Sequence, residues 1–286
     1  FISGKEDLFF TRSHFTQSAY YRFFIPELFS RYEKVCYLDV DLVLHRDVAD
    51  LYNTKLSSAH LLAAVKDCEC IRWATADKDW GVSYINNFLG LKSVLNYFQS
   101  GVLLMNIKQM RKENTMEKLF RTLERIKTPK FVDQDIFNIV CENRVRFLDL
   151  RWNVEYHIPL WFPNWMQIMP VSILYDYAQS RDNPWIVHYA GTKKPWQNAC
   201  YEMSEYFWQI ARHSPFYEEI LYRNLLSKAP DVSAIKEATR YSKNRWKYWK
   251  YKLLSEITFG RRRKKYAEKR RTFKENLRKA RHFMKG

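Results

Sequence analysis

Residues 35–52 read VCYLDVDLVLHRDVADLY, a stretch in which an apolar run ends on two carboxylates. The run Val35–Leu38 is typical of a buried β-strand, and Asp39 and Asp41 follow it with one residue between them. Side chains two positions apart on a strand point to the same face, so these carboxylates are expected to lie side by side. Two such charges repel each other and are costly to bury unless a cation neutralises them. The stretch therefore predicts a strand that ends at a divalent-metal site, where carboxylate oxygens suit Mg²⁺ or Mn²⁺.

An isolated Asp-x-Asp pair has a simpler explanation, because aspartate is common in turns and at helix caps. Asp47 and Asp50 fit that explanation, since they stand just before the next apolar residues of the stretch. The choice for Asp39 and Asp41 depends on what the rest of the chain brings to them.

Short apolar runs alternate with helical patterns along the chain, and this order predicts an α/β domain with a mostly parallel mixed sheet. Further strands are expected at residues 61–65, 101–106, 145–148 and 185–187. Helices are expected at residues 16–28, 108–126, 132–140 and 203–226. Pro26 would kink the first of these or start a second short helix, and residues 203–226 would form one or two helices. A polar, aromatic loop is expected around Ala74–Asn87.

The basic charge of the chain is concentrated at its end. The 286 residues carry a formal net charge of +17, and residues 241–286 hold 18 Lys and Arg against 3 acidic residues, a net of +15. The other 240 residues hold 30 basic and 28 acidic residues, so they are close to neutral. Aromatic residues such as Trp246 and Trp249 alternate with the cations, a composition that suits an anionic membrane surface. Nucleic acid would attract the same charge, and a solvated charged helix is the third alternative.

The composition also bounds the number of domains. Apolar residues make up 47% of the chain, which is enough for a sizeable core. Residues 227–233 (SKAPDVS) are the expected linker. We therefore predict an α/β domain at residues 1–228 and a basic, aromatic-rich helical tail at residues 229–286.

The cysteines and the hydropathy pattern favour a cytoplasmic protein. The five cysteines are odd in number and scattered, as expected for reduced thiols. The sequence has no apolar run of about 18 residues that would span a membrane, and no signal-peptide pattern.

Four segments, in order, resemble glycosyltransferase family 8. They are residues 20–52, Tyr97–Met110 (YFQSGVLLMNIKQM), Val132–Asn153 (VDQDIFNIVCENRVRFLDLRWN) and His188–Trp196 (HYAGTKKPW). The family consists of retaining, metal-dependent sugar transferases with the GT-A (Rossmann-like) fold, among them bacterial lipopolysaccharide galactosyl- and glucosyltransferases and glycogenin. The resemblance, which runs from about Ser18 to Trp196, implies that residues 1–228 are a GT-A catalytic domain.

The resemblance implies a metal site and a diphosphate site. Asp39, Asp41 and His188 match the metal ligands, and a shell of carboxylates and imidazole favours Mn²⁺, with Mg²⁺ as the alternative. Gly191 and Lys194 match the residues that bind the diphosphate. Glycine allows the backbone to approach an anion closely, and lysine supplies positive charge.

In the same way, the resemblance assigns Asp133 to hydroxyls of the donor sugar and Gln134 to the vicinity of the anomeric carbon. Asp133 is alternatively a helix N-cap. Gln134 either stabilises an oxocarbenium-like centre or takes part in a covalent intermediate, and both alternatives retain the anomeric configuration.

Arg22, Val40 and Gln99 complete the donor-binding residues that the resemblance implies. Arg22 would face the donor sugar or phosphate; the alternative is a surface ion pair with Glu27 or Glu33. At the position of Gln99 the family often has Asn, so the amide here is one methylene longer.

The resemblance implies a retaining hexosyltransferase that transfers glucose or galactose from UDP-glucose or UDP-galactose to a hydroxyl of a glycan or glycolipid. Because glycolipid acceptors lie at a membrane, we expect residues 241–286 to bind the inner face of the plasma membrane and not nucleic acid. Family members normally begin with a further strand–helix–strand unit that holds the uridine, and we expect this nucleotide-binding unit to be missing before Phe1. The alternatives are a catalytically impaired sugar-nucleotide-binding module of the same fold and a scaffold protein that acts through its basic tail.

Overall fold

The computed structural model describes residues 6–12, 15–77, 80–156, 169–228 and 232–283. The chain divides into two compact units, Phe1–Tyr217 and Glu218–Gly286.

The strands all belong to the first unit. They are β1 (Val35–Leu38), β2 (Leu42–Leu44), β3 (Leu62–Lys66), β4 (Phe98–Met105), β5 (Val145–Phe147), β6 (Val154–Glu155) and β7 (Ile186–His188). The α-helices of the described residues are α1 (Ile25–Leu28), α2 (Val48–Tyr52), α3 (Cys68–Ala76), α4 (Ile107–Lys112), α5 (Thr115–Ile126), α6 (Val132–Val140), α7 (Val171–Asp182), α8 (Ser204–Ala211), α9 (Tyr217–Lys228), α10 (Val232–Ile257) and α11 (Gly260–Phe283). Two further segments of eight residues form other types of helix, the 3₁₀-helix Gln17–Phe24 and the π-helix Gly81–Phe88.

The strands form two mixed sheets, with the orders β1-β4-β3-β5 and β2-β7-β6. The prediction of an α/β domain is confirmed. The expected excess of parallel pairs is wrong for the described residues, because β4 runs antiparallel to both β1 and β3, and β2 runs antiparallel to β7. Only β3–β5 and β6–β7 are parallel among the described pairs. An apolar run does not indicate the direction of its strand, and the long connections in this chain allow either direction.

Strand β4 is the centre of the larger sheet, and all eight of its residues are buried. It begins at Phe98, three residues before the expected start, because the polar residues Gln99 and Ser100 also lie in the sheet. The helix expected at 108–126 is divided into α4 and α5 at Asn114, whose φ is 52°. The loop expected around Ala74–Asn87 contains the end of α3 and the π-helix Gly81–Phe88.

An aromatic cluster packs the 3₁₀-helix Gln17–Phe24 against α5 and α6. The Phe23 ring meets the rings of Phe120 and Phe137 edge to face, at centroid distances of 5.7 and 5.2 Å. Tyr20 and Phe23 are completely buried. These contacts fix the helix that carries Arg22 over the carboxyl end of β1.

A buried carboxylate anchors the start of α6. The Asp135 carboxylate accepts hydrogen bonds from the hydroxyls of Tyr84 (2.5 Å) and Tyr97 (2.6 Å) and from the Phe131 N–H (2.9 Å). Burial raises its pKa, although these donors oppose that effect. The two tyrosine bonds connect α6 to the π-helix and to the residue before β4, and the third closes the first turn of α6.

In the second unit, α10 and α11 pack on each other through aromatic rings. The Tyr251 ring stacks on Tyr266 (6.1 Å) and Phe273 (5.7 Å). Across the described part of the chain, no helix is long and apolar enough to cross a membrane.

The Asp135 anchor predicts a stability effect. We expect Tyr97→Phe to lower the free energy of unfolding by about 1–3 kcal/mol, because it leaves a buried carboxylate without one donor. Tyr175→Phe is the matched control, since Tyr175 is exposed on α7. Urea unfolding measures both variants. Equal stability of the two variants would contradict a structural role for this carboxylate.

Candidate metal centre

Two carboxylates and one imidazole converge where β1 ends. Strand β2 follows β1 directly and pairs with β7 in a register that places Leu42 opposite His188. Asp41 is therefore adjacent to His188 in space, and one ligand atom from each of Asp39, Asp41 and His188 lies within 4.8 Å of the others. The Nε2 atom of His188 is 3.3 Å from Asp41 Oδ1 and 3.8 Å from Asp39 Oδ2. The structure thus brings together the three residues that the sequence predicts as metal ligands.

Each carboxylate has one oxygen paired with a protein cation and one turned toward His188. Arg22 Nη2 lies 3.1 Å from Asp39 Oδ1, and Lys194 Nζ lies 2.5 Å from Asp41 Oδ2. The remaining oxygens, Asp39 Oδ2 and Asp41 Oδ1, are the ones that face the imidazole. Two carboxylate oxygens and a ring nitrogen around one point form a donor set that fits Mn²⁺.

The backbone of β4 leaves room for this cluster because residue 101 is glycine. A Cβ at Gly101 would lie 2.5 Å from His188 Cε1 and 2.7 Å from Asp39 Oδ2, closer than atoms can approach. The Asp39 N–H donates to the Gly101 carbonyl at 2.8 Å, which fixes the approach. Any side chain at this position would displace a ligand.

Opposing effects set the ionisation of Asp41. Burial alone would raise the pKa of its carboxyl, but the contacts with His188 and Lys194 outweigh burial and hold that pKa below the usual range. Lys194 also donates to the Tyr189 carbonyl at 2.6 Å. Between them lies Gly191, whose φ of 81° favours glycine, so the loop that carries Lys194 turns at this residue.

Arg22 links Asp39 to Asp133. Its guanidinium is 8% exposed, donates to the Ser100 carbonyl at 2.7 Å, and has Nε 3.2 Å from Asp133 Oδ2. The guanidinium also lies over the Tyr37 ring, 4.3 Å from its centroid. The alternative of a surface ion pair with Glu27 or Glu33 is wrong, since those two residues pair with Arg111 and Lys108 instead.

Asp133 is a buried carboxylate that faces the Arg22 guanidinium. Within the described part of the chain, its Oδ2 accepts no hydrogen bond, although it faces Arg22. Burial raises the pKa of this carboxyl to about 6, and Arg22 opposes the rise. The preceding residue, Val132, has a φ of 38°, which is strained for a β-branched side chain. Such strain next to a buried acid is typical of a functional site.

Both ends of the Gln134 carboxamide have partners. Its oxygen accepts from the Ser100 N–H at 2.9 Å, and its nitrogen donates to Asp67 Oδ2 at 2.8 Å. Burial raises the pKa of the Asp67 carboxyl to about 6. Asp67 was not among the predicted site residues, although it follows β3 directly, just as Asp39 follows β1.

Gln99 and Val40 occupy different environments. The Val40 side chain is fully exposed between the two aspartates. Gln99 is buried, and its Oε1 accepts from Gly101 N–H and from Asn153 Nδ2. Asn153, which sequence reasoning did not single out, also contacts His188. In the sequence, Asn153 stands out only as a polar residue between the apolar residues Trp152 and Val154.

A protein-family profile for glycosyl transferase family 8 matches residues 5–200, a range that contains all these site residues. A lipopolysaccharide 1,3-galactosyltransferase of Salmonella typhimurium is 29% identical over 216 residues, which cover 71% of this chain and 56% of that protein. General stress protein A of Bacillus subtilis is 28% identical over 193 residues, or 65% of this chain and 61% of that protein. The chain thus spans less than two thirds of the length of these relatives.

Solved structures give the same assignment of the fold. The bifunctional glycosyltransferase WbbM, in its apo structure, matches 75% of this chain and 39% of its own at 34% identity, with a TM-score of 0.66. The galactosyltransferase LgtC, solved in complex with donor and acceptor sugar analogues, matches 73% of both chains with a TM-score of 0.59. Because the two chains are only 23% identical, this likeness shows the fold alone. These neighbours confirm the predicted GT-A fold.

The metal centre predicts a selective loss of Mn²⁺ binding. We expect Asp41→Asn to weaken Mn²⁺ binding more than about tenfold, because it removes a charged ligand and even indirect partners of a metal contribute that much. Asp50→Asn is the matched control, since Asp50 lies in the same stretch but pairs with Arg46. Electron paramagnetic resonance of free Mn²⁺ measures both. Unaltered affinity in Asp41→Asn would exclude this residue as a ligand.

Proposed function

The chain belongs to glycosyltransferase family 8, and from this premise we propose that it is a retaining, metal-dependent hexosyltransferase. It would transfer glucose or galactose from a UDP-sugar to a hydroxyl of a glycan or glycolipid. The observation that carries the proposal is the convergence of Asp39, Asp41 and His188 beside Lys194. A complete ligand set of this kind supports an enzyme over an impaired binding module.

The diphosphate side of the site consists of the metal ligands and the loop after β7. Mn²⁺, with Mg²⁺ as the alternative, would be bound by Asp39, Asp41 and His188 and would neutralise charge on the departing UDP. Lys194 adds a positive charge next to Asp41, and Gly191 lets the backbone turn toward a phosphate.

The sugar side consists of Asp133, Arg22 and Gln134. Arg22 Nε lies 3.2 Å from Asp133 Oδ2 and keeps this carboxylate in place, and the family resemblance assigns Asp133 to hydroxyls of the donor sugar. The Gln134 oxygen already accepts a backbone hydrogen bond, which further weakens a poor nucleophile. The Gln134 contacts therefore favour stabilisation of an oxocarbenium-like centre over a covalent intermediate.

In this reaction the acceptor oxygen bonds to the anomeric carbon on the face that UDP leaves. The bond from that carbon to the phosphate oxygen breaks, and its electron pair stays with UDP. The acceptor proton passes to a phosphate oxygen of UDP. Because the new bond forms on the face that UDP leaves, the anomeric configuration is retained.

The names of the relatives support a bacterial lipopolysaccharide or other surface glycan as the acceptor. The Salmonella relative is a lipopolysaccharide 1,3-galactosyltransferase, and an Escherichia coli relative, 28% identical over 216 residues, is a lipopolysaccharide 1,2-glucosyltransferase. Such acceptors would place the protein at the cytoplasmic face of the plasma membrane.

An apolar stripe on α10 suits that location. The stripe consists of Trp246, Trp249, Leu253 and Ile257, which share one helix face and are each more than half exposed. Lys250 and Lys252 lie over the Trp246 and Trp249 rings, at 5.2 and 4.7 Å. Cations that flank exposed tryptophans favour an anionic membrane surface over nucleic acid.

The catalytic proposal predicts metal-dependent donor hydrolysis. We expect the full-length protein to hydrolyse UDP-glucose or UDP-galactose with Mn²⁺ and to lose this activity in EDTA. Lys194→Gln should lower kcat/KM by about 10²–10³, because it removes charge stabilisation of the leaving group. Lys193→Gln is the matched control, since Lys193 lies over the Tyr201 ring.

Three outcomes would contradict this proposal: activity without metal, equal losses in the two lysine variants, or a product of inverted configuration in NMR of the anomeric proton.

The stripe predicts binding to anionic vesicles. We expect the protein to bind vesicles of phosphatidylglycerol and phosphatidylcholine, and the double variant Trp249→Ser, Leu253→Ser to bind at least about a hundredfold more weakly, since burial of each apolar side chain contributes about 1.5–3 kcal/mol. The control is Val171→Ser, Tyr175→Ser, which removes two exposed apolar residues one turn apart on α7. Sedimentation measures both. Equal binding by the two double variants would exclude the stripe.

A further inference from the structure

Three buried side chains form a relay that ends at His188. Gln99 Oε1 accepts from the Gly101 N–H at 2.5 Å and from Asn153 Nδ2 at 2.7 Å. Asn153 Oδ1 lies 2.9 Å from His188 Nδ1. Gln99, Asn153 and His188 are 9%, 6% and 2% exposed, so water does not offer them alternative partners.

The direction of every bond in this relay follows from the backbone. A backbone N–H only donates, so the Gln99 atom that faces Gly101 must be the amide oxygen. The Asn153 atom that meets this oxygen must then be the amide nitrogen, which turns Oδ1 of Asn153 toward His188. An amide oxygen only accepts, so His188 Nδ1 must carry a proton.

The relay therefore decides which nitrogen of His188 can bind a metal. With the proton on Nδ1, the nitrogen that faces Asp39 and Asp41 is Nε2. A hydrogen bond to the remote ring nitrogen also fixes the plane of a ligating imidazole.

We propose that Gln99 and Asn153 are positioning residues that orient His188 as a metal ligand. The oxygen of Gln99 serves the relay, which differs from the donor-sugar role that the family resemblance implies for this residue. A side chain one methylene shorter would leave Asn153 without its acceptor.

This inference rests on the proposed function only in that both concern the same metal. Its test measures binding of Mn²⁺ alone to the full chain. Loss of sugar transfer with intact Mn²⁺ binding would overturn the proposed function and leave the relay standing.

The test compares variants that break the relay with a variant that preserves its acceptor atom. We expect Gln99→Leu and Asn153→Leu to weaken Mn²⁺ binding by about 10- to 100-fold. Gln99→Glu keeps the oxygen that accepts from Gly101 and Asn153, and we expect it to bind Mn²⁺ within about threefold of the unmodified protein, since the relay to His188 is retained. Gln109→Leu is the matched control, because Gln109 hydrogen-bonds Glu113 beyond the other end of β4.

Electron spin-echo modulation of bound Mn²⁺ supplies a second readout, since it detects a ring nitrogen that is directly bound to the ion. We expect this nitrogen signal in the unmodified protein, in Gln99→Glu and in Gln109→Leu, and a weakened signal in the two Leu variants. An unchanged signal and affinity in the Leu variants would overturn the proposal. Equal losses in Gln99→Leu and Gln99→Glu would overturn it as well.

Gln99→Asn covers the case in which a Leu variant fails to fold. It keeps a polar amide but is too short for the relay, so we expect a folded protein with a weakened nitrogen signal. A full signal in Gln99→Asn would contradict the relay.

Discussion

The repulsion between the Asp39 and Asp41 carboxylates is the constraint on which the rest of the site depends. Each carboxylate pairs one oxygen with a protein cation, Arg22 or Lys194, and presents the other to His188. These two cations come from opposite parts of the chain, a helix before β1 and a loop after β7. The acidic pair therefore holds together the segments that the proposed reaction needs on either side of the metal, one for the sugar and one for the diphosphate.

The sheet makes this pair possible through its close packing. Strand β4 passes directly behind the ligands, and only a glycine at position 101 leaves space for Asp39 and the His188 ring. The same residue donates its N–H to Gln99, so one position of the backbone both makes room for the imidazole and begins the relay that orients it. Gln99 and Gly101 on β4 thus determine both the space for the imidazole and its orientation.

The sequence predicts most of the strands within one to three residues, because each is a short apolar run with clear ends. The placement of Asp39 and Asp41 after an apolar run predicts a metal site, the family resemblance adds His188 to it, and the structure brings the three side chains together. The sequence does not predict the direction of β4 or the role of Asn153, because both depend on which segments become neighbours after folding. Asp67 carries the same signal as Asp39, a carboxylate after an apolar run, but Asp67 binds Gln134 instead of facing the metal ligands. An acid that directly follows an apolar run thus indicates the edge of the sheet where ligands bind. The role of each acid depends on the residues that become its neighbours after folding.

The charges of the site give a divalent ion a specific role in the proposed reaction. Asp39, Asp41 and Asp133 face two protein cations, Arg22 and Lys194, so with all three acids ionised the cluster keeps one excess negative charge. Such a cluster repels an anionic donor. A divalent ion among Asp39, Asp41 and His188 would reverse the sign to a single positive charge, which attracts the diphosphate. Burial strengthens this dependence, because charges in a poorly solvated site are weakly screened by water and salt. Lys194 alone could not replace the ion, since its charge is already matched by Asp41.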